Sequence, residues 1–467
     1  MGGTNIAILR KERSLQDSRT YTAPNEKIHR YKTYRMKFVA DASGYVLVRL
    51  LCVVGLAFLV LTAALLFHLE NDNLIHVPEN VVMSFNSTVS EIAAWPFQFL
   101  HIVNTRFMQH QGNLTKLAQA RLVLFENFCL PSMTQQSLLR SGQSPAPYLW
   151  IIKVDPELED GILQNLILLV KAYPFVYVVA SNVNFGIGVH EGGWRGGEAG
   201  NDILGSKIYT GDLNWLKIAH ISRNDKVVLE TRLDADDGLH VTYLEVIQTE
   251  ATKRLMPTHF DTNISQQAWM YWCPLNRLEW KPSPPHSVSK ENGIFLPIQA
   301  PHVCITAGIT LGISVGTKEI SVPRFPHQSL YKELLGNKIY PSCGGDKCLE
   351  LLAEPILGAI RSRTPTSAGM RGVVADRKEF STALKFDTGG DPAIWSILAK
   401  NFHITKGMTA KANHYLQTHF QEVLEDNLFG QCTPGHSCKN STKIILKKLL
   451  HKTNTRNEGL SMEKEKK

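Results

Sequence analysis

Three carboxylates fall within four residues in the segment Glu230-Thr-Arg232-Leu-Asp234-Ala-Asp236-Asp237-Gly238. Held this close, they repel one another unless a cation sits among them. Alternate residues of a strand share a side, so Asp234 and Asp236 can address one ion. Hard divalent cations such as Mn2+ or Mg2+ are typically held by one or two carboxylates, with further oxygens from a substrate's phosphates. A cation so placed bridges a diphosphate and stabilises charge developing on a leaving group. Two blander readings compete. Asp-Asp-Gly is an ordinary solvated turn. Calcium is the other, because Glu245 falls at the twelfth position counted from Asp234, where an EF-hand places its bidentate Glu. That loop wants Asp or Asn fifth and Gly sixth, and Gly238 and Leu239 stand there.

A second segment, Arg361-Ser-Arg363-Thr-Pro-Thr-Ser-Ala-Gly369, combines two guanidinium groups with hydroxyls and a glycine turn. Guanidinium matches phosphate oxygens in bidentate fashion, so Arg361 and Arg363 are candidates to clamp a diphosphate; the alternative is an exposed basic loop. Among the seventeen histidines, His240, His302 and His327 lie in or near these segments, and His327 is the candidate third metal ligand. No His-Glu-x-x-His occurs, so zinc-hydrolase chemistry has no support from that motif. The glycine-rich stretch 185–200 lacks a Gly-Lys-Ser/Thr ending and is no P-loop. It reads as a lid or as a plain flexible insertion.

These residues need elements to hold them. Residues 97–103, 148–154, 175–180 and 226–233 are apolar runs suited to buried strands. The last delivers the chain to Asp234, and the second ends at Asp155. Residues 114–128, with Leu117, Arg121, Leu122, Leu124, Phe125 and Phe128, and residues 158–173 read as helices; so does 391–428. Strands alternating with helices predict an α/β domain with a mainly parallel sheet. Ligands bind beyond the carboxyl ends of such strands, where Asp155 and Asp234 sit. Trp269, Tyr271, Trp272 and Trp280 read as core, with sugar stacking as the alternative.

Composition and flanks suggest a setting. Hydrophobic residues make up 43% of the 467 and charged residues 20%, a globular balance. The formal net charge of +8 is scattered or in tails, and no basic face interleaved with aromatics points to nucleic acid. Residues 50–67 carry no charge and as a helix span about 27 Å, near the roughly 30 Å of a hydrocarbon core. Lys27, Arg30, Lys32, Arg35 and Lys37 precede that run, and no Lys or Arg follows until Arg106. The positive-inside rule then predicts a cytosolic N-terminus and a luminal body. A cleaved signal peptide fits less well, because the small-residue triplet Thr62-Ala63-Ala64 lies inside the run.

Acceptor triplets for N-glycosylation at Asn86, Asn113, Asn263 and Asn440 all lie beyond the run. Cys343-x4-Cys348 and Cys432-x5-Cys438 read as short disulfide loops of an oxidising compartment. Zinc would want tighter spacing or nearby His. Cys129, Cys273 and Cys304 then remain, one of them unpaired.

Several segments together resemble the rhamnosyltransferase-like family of glycosyltransferases. They are Asn104-Thr-Arg106-Phe107, Phe125-Glu-Asn-Phe-Cys129-Leu-Pro-Ser132, Trp150-Ile-Ile-Lys-Val-Asp155, Thr231-Arg-Leu-Asp-Ala-Asp-Asp-Gly-Leu-His240, Tyr271-Trp-Cys273, Cys304-Ile-Thr-Ala-Gly308 and the 361–369 segment. The resemblance covers residues 97–375 and implies a GT-A-like, Rossmann-type nucleotide-sugar-binding fold that transfers a sugar from an activated donor.

The expected organisation is a basic cytosolic tail (1–44), a transmembrane signal anchor (45–67), a stem (68–95), a luminal transferase domain (96–452) and a disordered tail (453–467). Asp234 and Asp236, with His327, would hold Mn2+ or Mg2+ on a nucleoside diphosphate. Arg106, Arg361 and Arg363 would meet the phosphates, Arg232 would help to bind the donor, and Asp155 would lie near the nucleoside. Asp237 would assist catalysis or orient a glycan or glycoprotein acceptor, in a single-pass protein of the Golgi membrane. The rival from another class is a non-catalytic luminal glycan-binding or scaffold protein on a decayed transferase fold. A sulfotransferase would have no use for the acidic cluster.

Overall fold

A computed structural model describes residues 94–139, 147–181, 203, 205–256, 267–283, 291–299, 303–317, 322–323, 325, 327–335, 340–345, 347–367 and 392–430. All lie in one compact unit, Val89–Lys467. The expected tails, the segment 45–67, the glycine-rich stretch, the Cys432 and Cys438 pair, His302, and Asn86, Asn263 and Asn440 lie outside the described residues.

The chain opens with β1 (Phe99–Phe107) and α1 (Thr115–Leu124), which runs through a π-helical turn (Phe125–Cys129) into α2 (Leu130–Thr134). Then come β2 (Leu149–Val154), α3 (Asp160–Val170), β3 (Val176–Ala180), β4 (Lys207–Ile208), α4 (Leu213–Ser222), β5 (Val227–Asp234), β6 (Gly238–Leu239) and α5 (Tyr243–Leu255). The second half holds β7 (Trp269–Pro274), β8 (Asn276–Lys281), β9 (Ile294–Gln299), β10 (Thr310–Ile313), α6 (His327–Leu335), β11 (Leu349–Leu352) and β12 (Ala359–Ser362). It ends in α7 (Pro392–Phe402), α8 (Lys406–Thr418) and α9 (Phe420–Gly430).

The main sheet has eight strands in the order β11-β7-β10-β5-β1-β2-β3-β4. From β1 the chain steps outward through β2 to β3, all parallel. It then returns to place β5 parallel on the other side of β1. That reversal makes a topological switch point between β1 and β5, where such sheets bind ligands.

One face carries Val103, Phe107, Trp150, Ile152, Val178, Leu229 and Leu233 against α1, α3 and α5. The opposite face carries Leu100, Ile102, Leu149, Ile151 and Val228 against Trp215, Leu216 and Ala219 of α4. Both faces are covered, which explains why these strands read as unbroken apolar runs. Trp95 stacks on Trp215 at 4.3 Å and donates its ring N–H to the Phe99 carbonyl at 2.7 Å. It therefore belongs to the folded body rather than to a stem.

One expectation about the fold is qualified and one is corrected. Most pairs of the main sheet are parallel, but β10 runs antiparallel between β5 and β7, β4 is antiparallel to β3, and a second sheet, β6-β12-β8-β9, has antiparallel pairs at β6–β12 and β8–β9. The transmembrane helix is not supported: among the described residues no helix is long and apolar enough to cross a membrane. The longest described α-helices have 13 residues, about 20 Å at 1.5 Å per residue, and the continuous helical run through α1, the π-helical turn and α2 carries Lys116, Arg121 and Glu126.

Candidate functional site

The sheets explain how two distant segments meet. β5 belongs to the main sheet and β6 to the second, so residues 234–237 form the turn by which the chain passes between them. The Asp237 N–H closes that turn on the Asp234 carbonyl at 3.1 Å. β6 then pairs with β12, Gly238 opposite Ile360 and Leu239 opposite Ala359. That register sets Arg361 and Ser362 beside the acidic turn.

Gly238 makes the approach possible. A Cβ there would meet Ile360 Cγ2 at 2.7 Å, Ser132 Oγ at 3.0 Å and the Phe128 carbonyl at 3.1 Å. Ser132 also accepts the Leu239 N–H at 3.2 Å. The π-helical turn and α2 thus brace the turn from behind, as π-bulges often do at functional sites.

The loop after β12 binds the acidic turn directly. The Ser362 N–H donates to Asp237 Oδ1 at 2.8 Å, and the Ser362 hydroxyl donates to the Asp236 carbonyl. The Thr366 hydroxyl donates to Asp236 Oδ2 at 2.9 Å. Arg121 of α1 donates to the Thr366 carbonyl at 3.1 Å and to Gln111 Oε1 at 2.7 Å, and its charge acts on Asp234 and Asp236. Burial, and then the neighbouring Asp234 charge, push the Asp236 carboxyl up, against the pull of Arg121 and Thr366. Asp237 is pushed well up by burial and by the charges of Asp236 and Asp234, with Arg361 and the Ser362 N–H opposing. Negative charge is therefore crowded here, and a cation would relieve it.

The other expected residues are placed as follows. Arg106 is exposed at the end of β1, in register with Asp234 on β5 and Lys153 on β2. Arg232, half-buried, is the register partner of Asn104. The Asn104 Oδ1 is enclosed, with no hydrogen-bond partner among the described residues. Asp155 is buried one strand over, where its carboxylate accepts the Glu157 N–H at 2.9 Å. His327, the first residue of α6, comes within electrostatic reach of Asp234, Arg361 and Arg106. Burial and the two arginines lower its pKa, against the pull of Asp234, which favours the neutral ring, the ligating form.

Two residues sit differently from expectation. Asp237 is 3% exposed and fixed to Ser362, a post for the turn rather than a group facing an acceptor. Arg363 is buried against Glu279 at 3.4 Å, and Glu279 also pairs with Arg277 at 3.0 Å; Arg361 is the more accessible of the two arginines.

His240 packs on Phe402 and bonds to Thr242, with its pKa lowered to about 4 by burial. Trp269, Tyr271, Trp272 and Trp280 are core. Asn113 is exposed in the turn before α1, as an acceptor triplet requires. Cys273 pairs with Cys304 and Cys343 with Cys348, leaving Cys129 as a buried free thiol.

The hydroxyls of Ser362 and Thr366, expected to help clamp a diphosphate, instead bind the acidic turn, and Arg121, expected only as part of an amphipathic helix, supports the Thr366 loop. Arg121 carried a signal: with Leu117, Leu124 and Phe128 it lies on the inward stripe of the helix, where a charge needs a partner.

The donor set suits a hard divalent cation, being carboxylates with one neutral imidazole nearby. Among the described residues no group of three or more His, Cys, Asp or Glu stands ready to hold a metal ion alone. A cation at Asp234 and Asp236 would draw its other oxygens from a ligand. The chain matches no protein-family model, and a search of curated proteins likewise gives no match.

Proposed function

We propose that this chain is a glycosyltransferase that moves a sugar from a nucleotide-sugar donor to a glycan or glycoconjugate acceptor, with Mn2+ or Mg2+ bound at Asp234 and Asp236. One observation carries the reading. The acidic turn and the Arg361 to Thr366 loop converge at the carboxyl edge of β1, β2 and β5, beside the switch point of the sheet.

When bound, the cation supplies charge neutralisation for a departing diphosphate. The chain's own residues do the rest. Thr366 and Ser362 hold the acidic turn in one geometry, so that it need not reorganise as charge develops. Arg106 and Arg361 supply guanidinium groups for phosphate oxygens. Asp155, by its place at the end of β2, is the candidate for the nucleoside. The luminal, Golgi setting draws support from the two disulfides, since such bonds persist in oxidising compartments. Against the non-catalytic alternative, the aromatics that suggested sugar stacking are fully buried; a scaffold on a decayed transferase fold would show no metal-dependent nucleotide affinity.

The test is a thermal-shift screen of the full chain against nucleotide sugars, with and without manganese. One donor class is expected to raise the melting temperature only when manganese is present, and Asp234→Asn and Asp236→Asn to abolish both that rise and sugar transfer. Transfer that survives both substitutions with its metal dependence intact removes the assignment.

A further inference from the structure

The loop that holds Asp236 is itself held, and by an element far along the chain. Three successive carbonyls of that loop are engaged. Asn427 Nδ2 of α9 donates to Pro365 at 2.7 Å and Ser367 at 3.0 Å, and Arg121 takes the Thr366 carbonyl between them. Asn427 is 1% exposed. The preceding residue, Asp426, accepts the N–H groups of Lys116 at 2.9 Å and Leu117 at 3.2 Å in the first turn of α1. Helix α1 is the element that carries Arg121. One turn of α9 therefore grips both supports of Asp236, the loop bearing Thr366 and the helix bearing Arg121.

Packing alone does not ask for this. Apolar side chains would seal α9 against α1, whereas a buried carboxamide and a carboxylate cap impose direction, and a buried polar group is costly unless satisfied. Residues that orient the ligating carboxylates of a metal site act on the metal through geometry.

We propose that Asp426 and Asn427 are positioning residues that set the geometry of Asp236, making α9 part of the cation–diphosphate site. The identity of the ligand rests on the transferase reading; the positioning does not.

The test compares Asn427→Ala and the isosteric Asn427→Asp with Asn413→Ala in the full chain. Asn413 is the matched control: also 1% exposed, it accepts the Ser283 N–H at 2.7 Å and donates to the Glu291 carbonyl at 2.9 Å, away from the loop. In both Asn427 variants, hydrogen exchange at the Ser362 and Leu239 amides is expected to accelerate. The manganese concentration for half-maximal nucleotide-sugar stabilisation should rise about tenfold or more. Asn413→Ala should lower the melting temperature while leaving both readouts as in the wild type. Unchanged protection of Ser362 in the Asn427 variants, or an equal loss in Asn413→Ala, overturns the inference. A wild-type chain that ignores manganese with every nucleotide sugar removes the transferase reading instead, and exchange at Ser362 still decides the positioning.

Discussion

The Thr366 hydroxyl is the smallest part of the site with a measurable consequence. It donates to Asp236 Oδ2 and, with the Arg121 charge and a backbone hydrogen bond, opposes the rise in that carboxyl's pKa. A hydrogen bond to a charged group contributes about 1.5–3 kcal/mol. Thr366→Val keeps the shape and removes the donor. It should weaken manganese-dependent nucleotide binding by roughly tenfold or more, since about 1.4 kcal/mol is a factor of ten. Thr366→Ser should retain most of it. A manganese titration of the nucleotide-induced thermal shift reads both, and equal behaviour of Val and Ser would show that the hydroxyl does not matter. The donor was hidden in the sequence because Thr366 has no distinguishing neighbour in its motif; the pairing of β6 with β12 brings it to Asp236.

Among the elements, the strands β1, β2, β3 and β5 were legible, whereas the two-residue β4 and the second sheet were not. Parallel strands buried on both faces read as continuous apolar runs, although β1 extends past its apolar run to Phe107 and so carries Arg106. β6 has two residues, and its pairing with β12 joins positions more than a hundred residues apart; no local pattern encodes that. The antiparallel β10 is only four residues long and gave no direction.

Gly238 tests the join. Gly238→Ala forces its Cβ against Ile360 Cγ2 and the Phe128 carbonyl, and overpacking of this kind costs about 1–3 kcal/mol. The expected result is a lower melting temperature together with loss of the metal response, because the strain falls on the turn. A drop in stability with the metal response intact would place the turn's geometry elsewhere.

The central strands also carry a buried polar chain. His101 Nε2 lies 2.8 Å from Thr231 Oγ1, which lies 2.7 Å from Thr310 Oγ1, linking β1, β5 and β10. Burial lowers the His101 pKa to about 3. The folded state therefore keeps this ring neutral while an unfolded chain takes up a proton near pH 6.5. The sign follows from linkage: between about pH 6.5 and 3 the unfolded state binds more protons, so stability falls as pH falls through that window. His101→Gln should flatten the slope of melting temperature against pH between 6.5 and 4. An unchanged slope would assign acid sensitivity to other groups.

On the largest scale, the two disulfides among the described residues do unequal work. Cys273–Cys304 closes a separation of 31 residues and Cys343–Cys348 one of 5. On the chain-entropy account these correspond to about 3.7 and about 2 kcal/mol respectively. Placement widens the difference. Cys304 leads into the segment whose Gly308 N–H donates to the Arg232 carbonyl at 2.9 Å, while the Arg232 N–H donates to Ile309 at 2.8 Å. The first bridge thus ties the end of β7 to the backbone that flanks Asp234. The short pair was legible from spacing alone, whereas the long one depended on β7 and β10 becoming neighbours. Replacing Cys273 and Cys304 together by Ala should lower the melting temperature more than replacing Cys343 and Cys348. It should also weaken manganese-dependent nucleotide binding, which the second pair should leave intact. Thermal melts and the same manganese titration on the two double variants measure this; equal losses would mean that the long bridge stabilises the body without steadying the site.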